Sequence, residues 1–174
     1  MNKEEAKAFE PAGTTIRTYH IKTKMTLGGA VSLAANQHRG QVDLGGHPYI
    51  LHLMRVSNAI YKHYGEDMAI AGILHDILED TLITYKDLQE LRVPQRALEA
   101  ILTVSRCKSE GEPYRAYIER VAAHADRAVV DLKLCDLYDN LDTNRLSPEL
   151  VYRYRSLFRR EARARNYLLF GRWE

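Results

Sequence analysis

The chain has 174 residues, 45% of them hydrophobic and 28% charged, the composition of an ordinary globular domain rather than a disordered chain. Lys and Arg total 25 against 23 Asp and Glu, a formal net charge of +2 that gives none of the basic excess expected of a nucleic-acid binder. No apolar run approaches the roughly 20 residues of a membrane span, and the charged stretch Met1 to Glu10 has the character of neither a secretory signal nor a presequence, so a cytoplasmic protein is expected.

Residues 1–24 are the least regular, with Pro11-Ala12-Gly13 interrupting any early helix, and are expected to form an N-terminal extension. From Met25, residues Leu27, Ala30, Val31, Ala34 and Ala35 recur at helical spacing up to Gly40. Gly45, Gly46 and Pro48 then mark 41–48 as a loop. A second helix is predicted from Tyr49 to about Tyr64, with Ile50, Met54, Ala59 and Ile60 inward and Gly65 as its stop. Asp67 to Asp80 reads as one helix, apolar on more than one face and therefore central.

Thr84, with Asp87 three residues on, has the form of a capping box. Pro94 opens a helix ending near Cys107, and Pro113 opens another reaching about His124. Arg127 to Asp142 forms the next, and Ser147-Pro148 starts a last, basic helix that packs on the core. No segment alternates convincingly as a strand. The fold class predicted is all-α, a compact helical bundle with its core over residues 25–146 and a C-terminal element over 147–174. Cys107 and Cys135 lack a Cys-x-x-Cys pattern and are expected to be reduced. Six arginines between Val151 and Arg165 read either as a phosphate-binding or partner-binding patch or, more simply, as a solvated face.

Four pieces of the sequence carry chemistry. His75-Asp76 closes the apolar run Ala71-Gly72-Ile73-Leu74, which sets an imidazole and a carboxylate on a rigid support suited to a divalent ion. Glu79-Asp80 follows four residues later; three carboxylates within five residues oppose one another and the helix dipole, so local stability gives no reason for them. His52 sits among apolar neighbours after the glycine-rich loop. Asp136 and Asn140, four apart, share one face of a helix rich in Val and Leu, where a buried carboxylate needs Lys133, an arginine or a metal as partner.

In order along the chain, Gln37-His38-Arg39-Gly40-Gln41, Gly46-His47-Pro48-Tyr49-Ile50-Leu51-His52, Leu74-His75-Asp76-Ile77-Leu78-Glu79-Asp80-Thr81 and Lys133-Leu134-Cys135-Asp136 resemble the motifs of the HD superfamily of metal-dependent phosphohydrolases. Within it they are similar to the hydrolase domains of the RelA/SpoT enzymes and to small stand-alone alarmone hydrolases of the Mesh1 type. The resemblance implies His52, His75, Asp76 and Asp136 as ligands of one divalent ion, manganese first, with iron, cobalt and zinc as alternatives. It implies Glu79 and Asp80 as the acidic pair that positions or deprotonates water, and His38, Asn140 and Thr143 as residues near the nucleotide. The activity implied is release of pyrophosphate from the 3′ position of ppGpp or pppGpp, with no nucleic-acid or membrane partner and with homo-oligomerisation left open. The alternatives are a (d)NTP triphosphohydrolase or 5′-nucleotidase, and a nucleotide-binding module without turnover.

The departures from this pattern fall on substrate recognition. Asp43 and Leu44 occupy positions where the alarmone hydrolases carry a basic pair, and Asp142 replaces a basic residue in Asn140-Leu141-Asp142-Thr143. Arg106, Lys108 or the C-terminal arginines are the candidates to replace the lost contacts.

Overall fold

A computed structural model describes residues 23–106 and 111–173. Most of the N-terminal extension, Cys107 and Lys108 lie outside them. The helices are α1 (Leu27–Gln37), α2 (Ile50–Leu74), α3 (Ile77–Asp80), α4 (Tyr85–Glu90), α5 (Gln95–Val104), α6 (Tyr114–Ala122), α7 (Arg127–Leu141), α8 (Pro148–Arg153) and α9 (Arg155–Phe170). A 3-10 turn covers Thr143–Arg145. Among the described residues no strand forms; one antiparallel bridge, Val42 to Pro48, closes the loop before α2.

Short polar side chains set most helix starts. Thr26 accepts from the Gly29 amide, Asp126 from Ala128, and Ser147 from Leu150 with Pro148 in the first turn. Thr84 and Asp87 form the reciprocal capping box expected of them.

α2 is two helical arms joined at Gly65, whose φ of 75° and ψ of −163° no helix contains and few side chains tolerate. The arms lie against each other: the Ser57 hydroxyl donates to the Ala69 carbonyl at 2.8 Å. At Gly72 an added Cβ would stand 2.8 Å from Ser57 Cα, so the close approach requires glycine. The inward face of the first arm is His52, Leu53, Val56, Ser57 and Ile60. This corrects the predicted placement of Met54, which is 49% exposed because it falls outside the stripe that packs on the second arm, whereas Ile60 is buried as expected and Ile50 packs partly buried against the core. The second arm ends at Leu74, and Ile77–Asp80 is a separate turn whose Glu79 and Asp80 amides return to the Asp76 carbonyl. The single helix expected over Asp67 to Asp80 is therefore broken at His75-Asp76. The last helix is divided too, at Tyr154, and α9 runs on to Phe170, where Gly171 turns left-handed (φ 70°).

Two apolar clusters make the core. The larger joins α1, α2, α4, α5 and the Ala128, Val129 and Leu132 side of α7. The smaller joins α6 and α9, through Tyr117, Ile118, Val121, Ala164 and Leu168, to Val130, Leu134 and Leu137 on another side of α7. α7 is thus buried on more than one side and acts as the spine of the bundle. No described helix is long and apolar enough to cross a membrane.

Gly72→Ala should push the two arms of α2 apart and destabilise the fold by about 1–3 kcal/mol. Urea unfolding reads this as a lower midpoint; an unchanged midpoint would show that the arms yield without cost.

Candidate active site

The α2 hairpin brings His52, on its first arm, to His75 at the end of its second: their Nε2 atoms are 3.4 Å apart. Asp76 Oδ2 lies 2.9 Å from His75 Nε2 and 3.7 Å from His52 Nε2. From the spine, α7 adds Asp136 Oδ1, 3.4 Å from His52 Nε2 and 3.6 Å from His75 Nε2. Both histidines and Asp136 are at most 4% exposed.

The outer contacts fix which nitrogen faces inward. His75 Nδ1 meets the Gly72 carbonyl at 2.8 Å, and His52 Nδ1 meets Asp139 Oδ2 at 2.7 Å. A carbonyl and a carboxylate only accept, so both Nδ1 atoms donate and both Nε2 atoms present their lone pairs to the cluster when the rings are neutral. Asp139 is itself held by Arg55, Nε to Oδ1 at 2.5 Å, and by Arg145, Nη2 to Oδ2 at 3.1 Å. Asp136 takes Lys133 Nζ on Oδ2 and the Asn140 amide on Oδ1. Asp76 Oδ2 accepts from the Tyr49 hydroxyl at 2.5 Å.

With ligand bonds of about 2.1 Å, tetrahedral donors stand roughly 3.4 Å apart and neighbouring octahedral donors roughly 3.0 Å apart. The two imidazole nitrogens stand 3.4 Å apart and 2.9–3.7 Å from the nearest oxygens of Asp76 and Asp136, which matches that range. The cluster His52, His75 and Asp76 alone meets the spacing of a metal-holding group. Electrostatics point the same way. Burial by itself would keep the imidazoles neutral, yet Asp136, Asp139 and Asp76 carry His52 up to about 11, and Asp76 and Asp136 carry His75 up to about 9. Against burial, His75 and His52 hold Asp76 well below the carboxylate range, and Lys133 with both histidines does so for Asp136. The cluster draws positive charge to its centre, which fits a divalent metal.

A cleft of about 310 Å³ opens from the cluster. Asp76, Glu79, Asp80, Asp136 and Asn140 line it together with Arg106, Tyr114, Tyr117 and part of α9. Glu79 Oε1 accepts from the Arg106 backbone amide at 2.9 Å, and Gln41 donates to the Asp80 carbonyl. A second cavity of about 170 Å³ shares Leu44, Tyr49 and Asn140 with the first and is bordered by Asp43, Asp142 and Arg145.

Seven residues singled out in the sequence therefore meet around one space. His38 does not line it: the ring is buried beside Tyr49, its Nδ1 bonded to Gln41 and its Nε2 without a partner. Thr143 begins the 3-10 turn and lines neither cavity. The two acidic departures have local work. Asp43 accepts from the Gly45 and His47 amides and pairs with Arg145 at 2.7 Å, while Asp142 caps the 3-10 turn at Asn144. Asp139, Arg55, Tyr49 and Arg145 were not foreseen. The signals for two of them were local: Asp139 is one turn beyond Asp136, and Tyr49 one turn before His52.

An all-helical bundle built around a buried His-His-Asp-Asp centre is the class that fold and site define. The chain belongs to the HD domain family, whose model matches residues 30–144. It is 34% identical over 128 residues to the guanosine-3′,5′-bis(diphosphate) 3′-pyrophosphohydrolase MESH1 of Danio rerio, covering 68% of this chain and 69% of that one. It is 33% identical over 119 residues to an enzyme of the same activity name from Aquifex aeolicus, and 28% identical over 145 residues to the bifunctional (p)ppGpp synthase/hydrolase SpoT of Escherichia coli. These matches cover 66% and 78% of this chain but only 17% and 20% of those longer proteins. A solved structure of a metazoan ortholog of SpoT, described as hydrolysing ppGpp, shares the fold with a TM-score of 0.66 at 24% identity, over 94% of this chain and 89% of that one.

Asp139→Ala removes the acceptor that orients His52 and should weaken metal binding about 10–100-fold. Competition with a chromogenic chelator measures it; wild-type affinity in the variant would deny Asp139 that role.

Proposed function

We propose that this protein is a metal-dependent phosphohydrolase that releases pyrophosphate from the 3′ position of ppGpp or pppGpp. The observation that carries the reading is the convergence of His52, His75, Asp76 and Asp136 at the end of a cleft that Glu79 and Asp80 also line. The names borne by the relatives choose the substrate within that chemistry.

His52, His75, Asp76 and Asp136 would hold the ion, and two imidazoles with two carboxylates suit manganese. When bound, the ion neutralises phosphate oxygens and acidifies water. Lys133 and Asn140 keep the Asp136 carboxylate charged and aligned, and Asp139, by taking the Nδ1 proton, aligns the neutral His52 ring with its Nε2 lone pair inward. Glu79, steadied by the Arg106 amide, takes the proton of the attacking water, and Asp80 beside it orients that water. The water oxygen bonds to the phosphorus carried by O3′ as the P–O3′ bond breaks, and the proton that Glu79 took from the water is passed on to O3′, which leaves as a hydroxyl. Asn140, which borders both cavities, contacts the nucleotide, and His38 acts from behind Tyr49, whose ring it packs against, rather than on the nucleotide itself. A nucleotide substrate of this kind supports the cytoplasmic location expected from the sequence.

Incubation of the manganese-loaded protein with ppGpp, followed by anion-exchange chromatography, should give GDP and pyrophosphate. Hydrolysis of dNTPs with ppGpp untouched would replace the substrate with that of a triphosphohydrolase. Glu79→Gln should retain the metal and lose about 10²–10⁴-fold in turnover; undiminished turnover would remove Glu79 from proton transfer.

A further inference from the structure

Part of the cleft lining comes from beyond the residues that the family model matches. α9 lies beyond residues 30–144, yet it supplies Leu157, Phe158, Arg160 and Glu161 to the lining. It is firmly seated: Ala164 and Leu168 are buried against α6 and α7. Beyond its end, Trp173 stacks on Tyr167 at 4.6 Å and donates to Glu119. A side chain near the middle of such a helix has a defined place.

At that place two guanidinium groups converge on one aromatic ring. Arg160 lies over Tyr114 at 4.3 Å from the ring centre, and Arg106 approaches the same ring at 5.8 Å. Each is oriented by the protein. Arg160 donates through Nη2 and Nε to Glu161 Oε1, and Glu161, only 6% exposed, takes the Tyr114 hydroxyl on Oε2 at 2.8 Å. Arg106 donates through Nε and Nη2 to the Glu112 carbonyl. That carbonyl orients the group without cancelling its charge, and among the described residues no carboxylate forms an ion pair with the Arg106 guanidinium.

A buried carboxylate is expensive to place, and here its contacts hold a tyrosine and an arginine at the edge of the cleft. Arg160 is paired with Glu161 at 2.7 Å while Arg106 keeps its charge, and both line the same cleft, where planar guanidinium forks suit phosphate oxygens. The first cavity thus has a metal-type centre at one end and paired arginines in its wall. The second cavity also has an arginine, Arg145, but that guanidinium pairs with both Asp43 and Asp139.

We propose that Arg160 and Arg106, ordered on Tyr114, form a phosphate clamp that binds an anionic group of the substrate, so that the C-terminal helix takes part in substrate recognition. This rests on the phosphohydrolase reading above, but binding can be tested apart from turnover. Arg160 is half exposed, so Arg160→Ala and Arg160→Gln should fold. In the manganese-loaded protein both should raise KM for ppGpp about tenfold or more, with kcat within about threefold, and Arg160→Lys should recover part of the loss. Arg159→Ala, exposed on the same helix and outside the cleft lining, should leave KM unchanged. Calorimetric titration of the same proteins with inorganic pyrophosphate should show weaker binding in Arg160→Ala and Arg106→Ala.

If wild type turns over ppGpp and Arg160→Ala keeps both its KM and its pyrophosphate affinity, the clamp is wrong and the function stands. If ppGpp is not hydrolysed but pyrophosphate binds in an Arg160-dependent way, the clamp stands and the substrate assignment falls. No pyrophosphate binding by wild type overturns the clamp, and so does an equal loss in Arg159→Ala.

Discussion

Two imidazole nitrogens 3.4 Å apart, closed in by two buried carboxylates, hold together only around positive charge. Much else in the molecule is arranged to satisfy that condition. Asp139 and the Gly72 carbonyl take the outer nitrogens, which turns the inner pair toward the cluster. Lys133 offsets one carboxylate and the Tyr49 hydroxyl bonds the other. Arg55 and Arg145 in turn neutralise Asp139, so the alternation of charge extends three shells out from the centre. A cluster of this kind costs desolvation free energy at every member, which only a charge at its middle and partners at its rim offset.

The scaffold meets the condition with two devices. A glycine reversal folds α2 into a hairpin, so residues 23 positions apart in the chain face each other. A helix packed on more than one side, α7, then presents Asp136 inward and Asp139 one turn further along. Rigid backbone on both sides means that donor spacing is set by packing rather than by flexible loops. The loop before α2 is handled differently: Asp43 folds it by accepting its own amides and ties it to Arg145. An acidic residue that sequence reading treats as a lost substrate contact therefore works as part of the architecture.

Much of this was legible in the sequence because the informative residues are of unusual type for their places. His75-Asp76 after four apolar residues, or Glu79-Asp80 at a helix end, has no stabilising rationale, so chemistry is the better explanation. Capping at Thr84 and Ser147 was readable for the opposite reason, since those residues are ordinary there. What escaped depended on distant partners. The phase of the buried face of α2 follows from contact with its second arm, which left Met54 outside. The breaks at His75-Asp76 and at Tyr154 carry no glycine or proline to announce them. The arginines of α9 are identical in type, and nothing local distinguishes Arg160, stacked over Tyr114, from exposed Arg159.

The sequence distances spanned by the site have a kinetic meaning. Asp43 and Arg145 are 102 positions apart, His52 and Asp139 are 87, and each pair must close a loop before its contact contributes anything. Contacts that long carry a larger loop-closure cost than those within the α2 hairpin and the local helices. A partly folded chain would hold His52 near His75 but lack Asp136 and its supports, and so would grip an ion poorly. An ion held by all four residues would therefore belong to the finished fold and would act as a latch on the loops that close the site, adding its free energy to the native state alone.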